Sequence, residues 1–469
     1  MFSSHSQRNR FILSTIVGVG IVAVAGVAVV EGLKREESKT THKSENTVPR
    51  PISLIASGDT AGWIVPCGCT SNQSGGLLRR GAIVASEKET SNVILVDVGG
   101  AAGGTSPYDQ SKLEAILQGE IKMGIAAHNL GGSELKLGSD YLQAIQEKLD
   151  IPFVSANVRD SDGDFIVETH RVIDVSGKRL LIVGVVSSLY AVSGLQISSP
   201  RDAVLAIADE YVKQYDWLIV LAYMPERELR SFASDLPEAD VILGGATHQS
   251  IAPASVGPAT LAAATNKGKY LVHLQAPFKN DQDRWKGRVV EVNQDFKDDA
   301  IQKQNLQQFY SELSKQDFTA AQTGFSPPLP INPPPGYQIS GTESCLKCHQ
   351  DDARHWEHSA HAHAWKTLRR SGAHVDADCQ RCHTTGFGLP GGFVSVKRSL
   401  NLVNVGCESC HGPSAAHTRN TKIRTPFLAK DQCIYCHDRE NSPEFKFEKY
   451  WSQIIHGQQD PESNTEPQP

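Results

Sequence analysis

Four stretches near the C-terminal end of this 469-residue chain repeat one pattern: CLKCH (345–349), CQRCH (379–383), CESCH (407–411) and CIYCH (433–437). Two thiols three residues apart can form thioethers to the two vinyl groups of one porphyrin, and the adjacent imidazole then reaches the iron. The reading is covalent haem at each motif, with Cys345, Cys348, Cys379, Cys382, Cys407, Cys410, Cys433 and Cys436 as attachment points. His349, His383, His411 and His437 become the proximal iron ligands. Zinc modules and disulfides also use paired cysteines, but neither requires a histidine after the second one in all four cases. Ten cysteines are present in all, so Cys67 and Cys69, in PCGCTSNQSG (66–75), are left over.

Each iron has a sixth position. Residues 338–457 hold eleven of the seventeen histidines; His355, His358, His361, His363, His374, His417 and His456 are the candidates for it, at most four of them can be distal ligands, and a solvated helix-surface histidine is the alternative for each. The segments WEHSAHAHAWKTL (356–368), DCQRCHTTGFG (378–388) and GCESCHGPSAAH (406–417) resemble the tetrahaem cytochrome c family that accepts electrons in nitrifying bacteria. That resemblance implies four haem c groups and distal ligation by His361 and His417, with His456 and His374 as further candidates. Two histidines per iron would suit electron transfer, whereas an iron without a sixth ligand could bind a small molecule. This stretch has few Leu, Ile, Val and Phe, so the haem faces must supply much of its buried apolar surface.

The upstream region must fold differently. Short apolar runs, VILVDV (93–98), RLLIVGVV (179–186), WLIVLA (217–222) and DVILGG (240–245), alternate with amphipathic helical patterns such as QSKLEAILQGEIKM and RDAVLAIADEYVKQY. Continuous apolar strands between helices predict an α/β domain with buried sheets. The order of ASGDTAG, LVDVGG, NLGGSELKLG, PFVSANVRD and DVILGGATH resembles the 5′-nucleotidase and metallophosphoesterase family, which implies an α/β sandwich. Only Asp59 and His248 match that family's ligand set. Ala61, Gly100, Gly132, Ser133 and Ala246 stand where the others belong, and Tyr223 replaces a further one. Two survivors are too few to hold a pair of divalent metal ions, so dinuclear hydrolysis is expected to be absent. His128 lies near the third block, either as a contributor or as a satisfied buried histidine.

Cys67 and Cys69 follow the first strand, in the loop bordering that family's cleft. A strained disulfide, inert thiols, a metal site and a redox pair all remain open for them. Arg79 and Arg80, if they face the loop, would lower a thiolate pKa. PCGC followed by GG and LLRR is also similar to a group of 5′-nucleotidase-like proteins known as a (seleno)protein family, which implies a redox or nucleophilic role.

The expected organisation is a cytoplasmic N-terminus (1–10), a transmembrane anchor or signal segment (11–30), a polar linker (31–51) and the degenerate phosphoesterase-like domain (52–297). A helical and Pro-rich linker (298–337), the small, mainly helical multihaem cytochrome domain (338–457) and a disordered tail (458–469) complete it. FILSTIVGVGIVAVAGVAVV (11–30) carries no charge and as a helix would be ~30 Å long, enough to span; a cleaved signal peptide is the alternative. The expected location is the bacterial cytoplasmic membrane, single-pass, with both domains on the periplasmic side. A net charge of −6 with no basic cluster argues against nucleic-acid binding. Redox proteins or quinone-linked donors at the membrane are the expected partners. The functional expectation is electron transfer. The competing readings are an oxidoreductase using the Cys67/Cys69 loop or an open haem, and a nucleotidase-like hydrolase joined to a cytochrome.

Overall fold

A computed structural model describes residues 50–66, 73–277, 284–325, 327, 329–424 and 429–457. The expected anchor, most of the polar linker, the tail, and both Cys67 and Cys69 lie outside the described residues. Among the described residues no helix is long and apolar enough to cross a membrane. The expected single-pass anchor, and the periplasmic-side location drawn from it, are corrected accordingly.

In chain order the strands are β1 (Ile52–Ser57), β2 (Asn92–Asp97), β3 (Ile125–Asn129), β4 (Phe153–Val154), β5 (Val158–Arg159), β6 (His170–Val175) and β7 (Lys178–Val186). They continue as β8 (Gln196–Ile197), β9 (Trp217–Tyr223), β10 (Val241–Gly245), β11 (Ile251–Val256), β12 (Ala259–Ala263), β13 (Tyr270–Gln275) and β14 (Lys286–Glu291). One six-stranded sheet runs β14-β13-β1-β2-β3-β4, and a second runs β11-β12-β10-β9-β7-β6. The run β1-β2-β3-β4 is parallel, with antiparallel pairing through β13 and β14 at one margin, and β12-β10-β9-β7 is parallel, with antiparallel β11 and β6 at its two margins. The sheets face each other. Leu54, Ile94, Ile182, Ile219 and Leu243 fill the space between them, while their neighbours Ile55, Leu95, Leu181, Val220 and Ile242 point to the outer faces. Both faces of each central strand are therefore covered, which is why these strands read as unbroken apolar runs and not as alternating ones.

Helices cover the outer faces: α1 (Leu77–Thr90), α2 (Pro107–Met123), α3 (Gly132–Leu135) and α4 (Ser139–Leu149) precede α5 (Pro200–Glu210), α6 (Glu226–Ser234) and α7 (Ala300–Gln316). The start of α2 is set by a capping box between Ser106 and Asp109 with Pro107 in the first turn, and it ends at left-handed Gly124.

The polar helix α7, expected in the connector, is packed. Gln302 and Asn305 bond the carbonyls of Gly119 and Ala115 at 2.9 and 2.8 Å, and Phe309 and Leu313 join the core. That core cluster runs on through Ile339, Trp365, Leu368, Phe387, Phe393 and Leu402. Residues Pro49–Pro469 form one compact unit. The C-terminal part is a set of short helices, and among its described residues no hydrophobic side chain after Leu402 is buried.

Candidate functional site

In the C-terminal region each motif ends a short helix or follows one: Thr342–Leu346, Ala377–His383, Glu408–His411 and Ala429–Cys436. All eight motif cysteines are free. The four motifs lie close together. Cys345 lies beside Cys407, Cys382 beside Cys436, and Cys410 near Cys433. The attachment sites thus follow one another in the order second, fourth, third, first.

Histidines meet in pairs across this region. His349 and His417 have ring centres 6.3 Å apart, His437 and His361 6.3 Å, and His411 and His456 5.9 Å. An iron held at about 2.0 Å by one nitrogen of each ring would set the ring centres roughly 6.3 Å apart. The donor sets therefore fit haem iron. Orientation supports the fit. The Nδ1 atoms of His417, His456 and His383 contact the carbonyls of Ile423, Ile454 and Ala364 at 2.8, 2.9 and 2.8 Å, and His437 Nδ1 contacts Ser442 Oγ at 2.9 Å. With Nδ1 engaged, Nε2 is left for the metal. His355 also neighbours His456, at 6.0 Å.

The second motif differs. His361 lies near His383 as well as His437, but no described ring stands opposite His383 as one does for the other three. His374 is not brought there. Its 3-10 turn (Ala373–Val375) follows left-handed Gly372, and the ring packs edge-on against Trp365 at 5.9 Å.

In the α/β part, the strand tips gather where the resemblance places a metal cleft. Asp59 accepts from Tyr223 Oη at 3.2 Å and from Thr265 Oγ1 at 2.9 Å. Tyr190 and Tyr223 pack with ring centres 5.1 Å apart. A Cβ added at Gly100 would lie 2.7 Å from Tyr223 Cε2, and one at Gly132 would lie 2.4 Å from Tyr190 Cδ1. The two rings therefore occupy the space that side chains at 100 and 132 would need. His248 is exposed and its side chain makes no hydrogen bond among the described residues. Glu134 is fully buried and accepts from the amides of Gly100, Ala102 and Gly131 at 2.9, 2.7 and 2.9 Å, bracing the loop after β2. These tyrosines act by filling space, a role that ligand spacing does not reveal.

Beneath this tip lies a buried cluster: Asp97, Glu120 and His128, with ligand atoms within 4.8 Å of one another. Arg80 already supplies a cation there, its Nη1 3.5 Å from Glu120 and 3.9 Å from Asp97, while Nη2 donates to Thr60 at 2.8 Å. Arg80 thus turns into the core, while Cys67 and Cys69, whose thiolates it was expected to influence, lie outside the described residues. Arg79 bonds the Gln73 carbonyl. His128 Nδ1 is 2.7 Å from Glu120. Burial pulls the His128 pKa down, but the Glu120 and Asp97 carboxylates outweigh it and hold it at about 9.

Residues 344–412 match the family described as "Cytochrome c554 and c-prime". The C-terminal region is cytochrome c554-like. Cytochrome c-554 of Nitrosomonas europaea is 36% identical over 90 residues, which cover 16% of this chain and 38% of that protein, well under half its length. The fourth motif lies beyond the family match. The α/β part is similar in fold to a 5′-nucleotidase precursor from Thermus thermophilus, with a TM-score of 0.51 and 19% identity over 58% of this chain and 60% of that one. A calcineurin-like phosphoesterase from Bacillus subtilis aligns with a TM-score of 0.49 and 17% identity, over 56% of this chain and 97% of that one. The protein thus joins a cytochrome c554-like region to a fold of the nucleotidase and phosphoesterase type.

Proposed function

We propose that this protein is a four-haem c-type electron carrier whose α/β part keeps a phosphoesterase fold without two-metal hydrolysis. The observation that carries the reading is the set of three imidazole pairs at 5.9–6.3 Å, each joining a motif histidine to one from elsewhere in the chain. Haem c at the four motifs would supply one-electron redox chemistry. The chain's own residues would divide the work: the eight motif thiols would anchor the haems, His349, His383, His411 and His437 would ligate iron, and His417, His456 and His361 would supply a second imidazole at three of the sites. Adjacent attachment sites suit the passing of single electrons. Mass spectrometry and a pyridine haemochrome assay on the full chain should count four covalent haems; two or fewer would refute the reading.

A second reading concerns the second motif, because no described imidazole faces His383. That iron would be open to a small ligand, and the protein would then act on a substrate as well as carry charge. Electron paramagnetic resonance of the oxidised protein should show about one high-spin haem in four, and cyanide should convert it. A wholly low-spin spectrum refutes this second role.

Loss of hydrolysis rests on Tyr190 and Tyr223 filling the space beside Gly132 and Gly100, and on Ala61, Gly100, Gly132, Ser133 and Ala246 offering no ligand side chain of the expected type. Purified protein with manganese should release no phosphate from nucleotides, and metal-dependent release would overturn the point. Redox proteins remain the proposed partners.

A further inference from the structure

The helix that carries the second motif, Ala377–His383, is held from outside the cytochrome-like region. Asp376 caps it, accepting from the Asp378 amide at 3.0 Å. From α2, Tyr108 donates its hydroxyl hydrogen to the Asp376 carboxylate, and its oxygen accepts from the Asp378 amide at 3.3 Å. One turn further along the same face of α2, Lys112 Nζ lies 3.1 Å from Asp378 Oδ2. Arg381, on the motif helix itself, approaches Asp378 at 3.2 Å. Phe318 and Phe325 pack edge-on against the Tyr108 ring, at 6.0 and 5.6 Å, and close the contact to water. Tyr108, Lys112 and Asp376 are all buried. By contrast, the helix of the third motif is braced within its own region, where Glu408 accepts from the amides of Ser340, Gly341 and Ser414.

A buried carboxylate, Asp376, and a half-buried one, Asp378, beside a haem attachment site are costly unless paired; Tyr108 bonds the first, and Lys112 and Arg381 pair the second. Such charges also act on an adjacent iron, because a nearby negative charge favours its more positive, oxidised state, and in a poorly screened interior the effect is large. We infer that Tyr108 and Lys112 are positioning residues for the second haem site, through which the α/β part seats that haem's attachment helix and sets its reduction potential. This assigns the α/β part a role in the cytochrome that hydrolysis does not require. It rests on the proposed haem at Cys379 and Cys382.

The test is a spectroelectrochemical titration of the haem-loaded full chain, resolving the individual haems. Lys112→Met should lower the potential of one haem and leave the other three in place; Asp378→Asn should raise that same haem. Lys112→Met combined with Asp378→Asn removes one charge of each sign and should return it toward the wild-type value. Tyr108→Phe keeps the ring and should give a smaller shift at the same haem. Unmoved potentials in the charge variants, or four haems moving together, would overturn the inference. If Lys112→Met does not fold, Asp378→Asn and the paired variant decide the matter alone. A wild-type protein without haem on Cys379 and Cys382 would instead refute the functional reading beneath it, so the two failures are distinguishable.

Discussion

Putting an aspartate at Gly100, the side chain the phosphoesterase resemblance would place there, should destabilise the protein and should not restore a metal site. Gly100 has φ +83°, and a new Cβ would stand 2.7 Å from Tyr223 Cε2 and 3.0 Å from both Cα and Oδ1 of Asp59. A side chain in this backbone region costs about 1–2 kcal/mol, and overpacking against a ring in a close-packed site costs about 1–3 kcal/mol. Gly100→Asp should therefore lose roughly 2–5 kcal/mol, with the Asp59 carboxylate adding like-charge repulsion. Urea unfolding followed by far-ultraviolet circular dichroism measures the loss as a lower midpoint at unchanged slope. Tyr223→Ala alone leaves a cavity and should cost about 3 kcal/mol, but in the double variant the clash is gone, so the two losses should fall short of additivity by at least about 1 kcal/mol. A neutral Gly100→Asp, strictly additive losses, or stabilisation of that variant by manganese would refute the account of Tyr223 as the occupant of the metal cleft.

Arg80→Met should cost about 3–5 kcal/mol, because it strips the cation from buried Asp97 and Glu120; a loss under about 1 kcal/mol in the same urea assay would contradict the pairing. Burial lifts Glu120 from 4.5 to about 7, although His128 works against it, and His128 itself rises from 6.5 to about 9. Both groups bind protons more tightly in the folded state, so their stabilisation is present at low pH and fades as pH rises, through 4.5–7 for Glu120 and 6.5–9 for His128. His128→Gln should flatten the upper part of that slope, and an unchanged slope would place the proton elsewhere. Lys366, Arg369 and Arg370 are exposed on the helix Ala364–Ser371 and make no ion pair among the described residues. Reduction by dithionite, an anion, should slow as salt is raised, and neutralising all three should weaken that dependence severalfold; an identical salt dependence would rule the patch out as the entry point.

The strand runs were legible because both of their faces are covered: WLIVLA became β9, and its residues divide between the inter-sheet space and the outer layer. The cytochrome c554-like region was legible because thioether chemistry constrains spacing within five residues, and the family match spans the first three motifs. The contact that joins the two regions was not. Tyr108 and Asp376 are 268 positions apart, and Lys112 and Asp378 are 266 apart. Neither pair leaves a period or a motif, since a lysine and a tyrosine on α2 read as ordinary members of an amphipathic helix. His374 shows a related limit. Its residue type suits a ligand, but the turn after Gly372 commits its ring to Trp365.

The tips of the sandwich give a physical reason for the α/β part to keep a phosphoesterase-like backbone around an altered set of side chains. Asp59, Ala61, Ala246 and His248 hold φ values of 53°, 49°, 56° and 59°. Non-glycine residues in this region carry strain of about 1 kcal/mol or more each, so something must hold them there. For the first loop the holding bonds are visible. The amides of Asp59, Ala61 and Gly62 donate to the carbonyls of Gly99, Gly100 and Ala101 at 2.7, 2.8 and 2.8 Å, while Tyr223 and Thr265 engage the Asp59 carboxylate. Glu134 secures the other side of the Gly99–Ala102 turn through three amides. That turn leads directly into Ser106 and the capped start of α2, and within the next two turns come Tyr108 and Lys112. This strained loop can thus fix the helix that reaches the second haem motif. Loosening it at Tyr223 or Glu134 would be felt at Asp376 and Asp378, far outside the cleft.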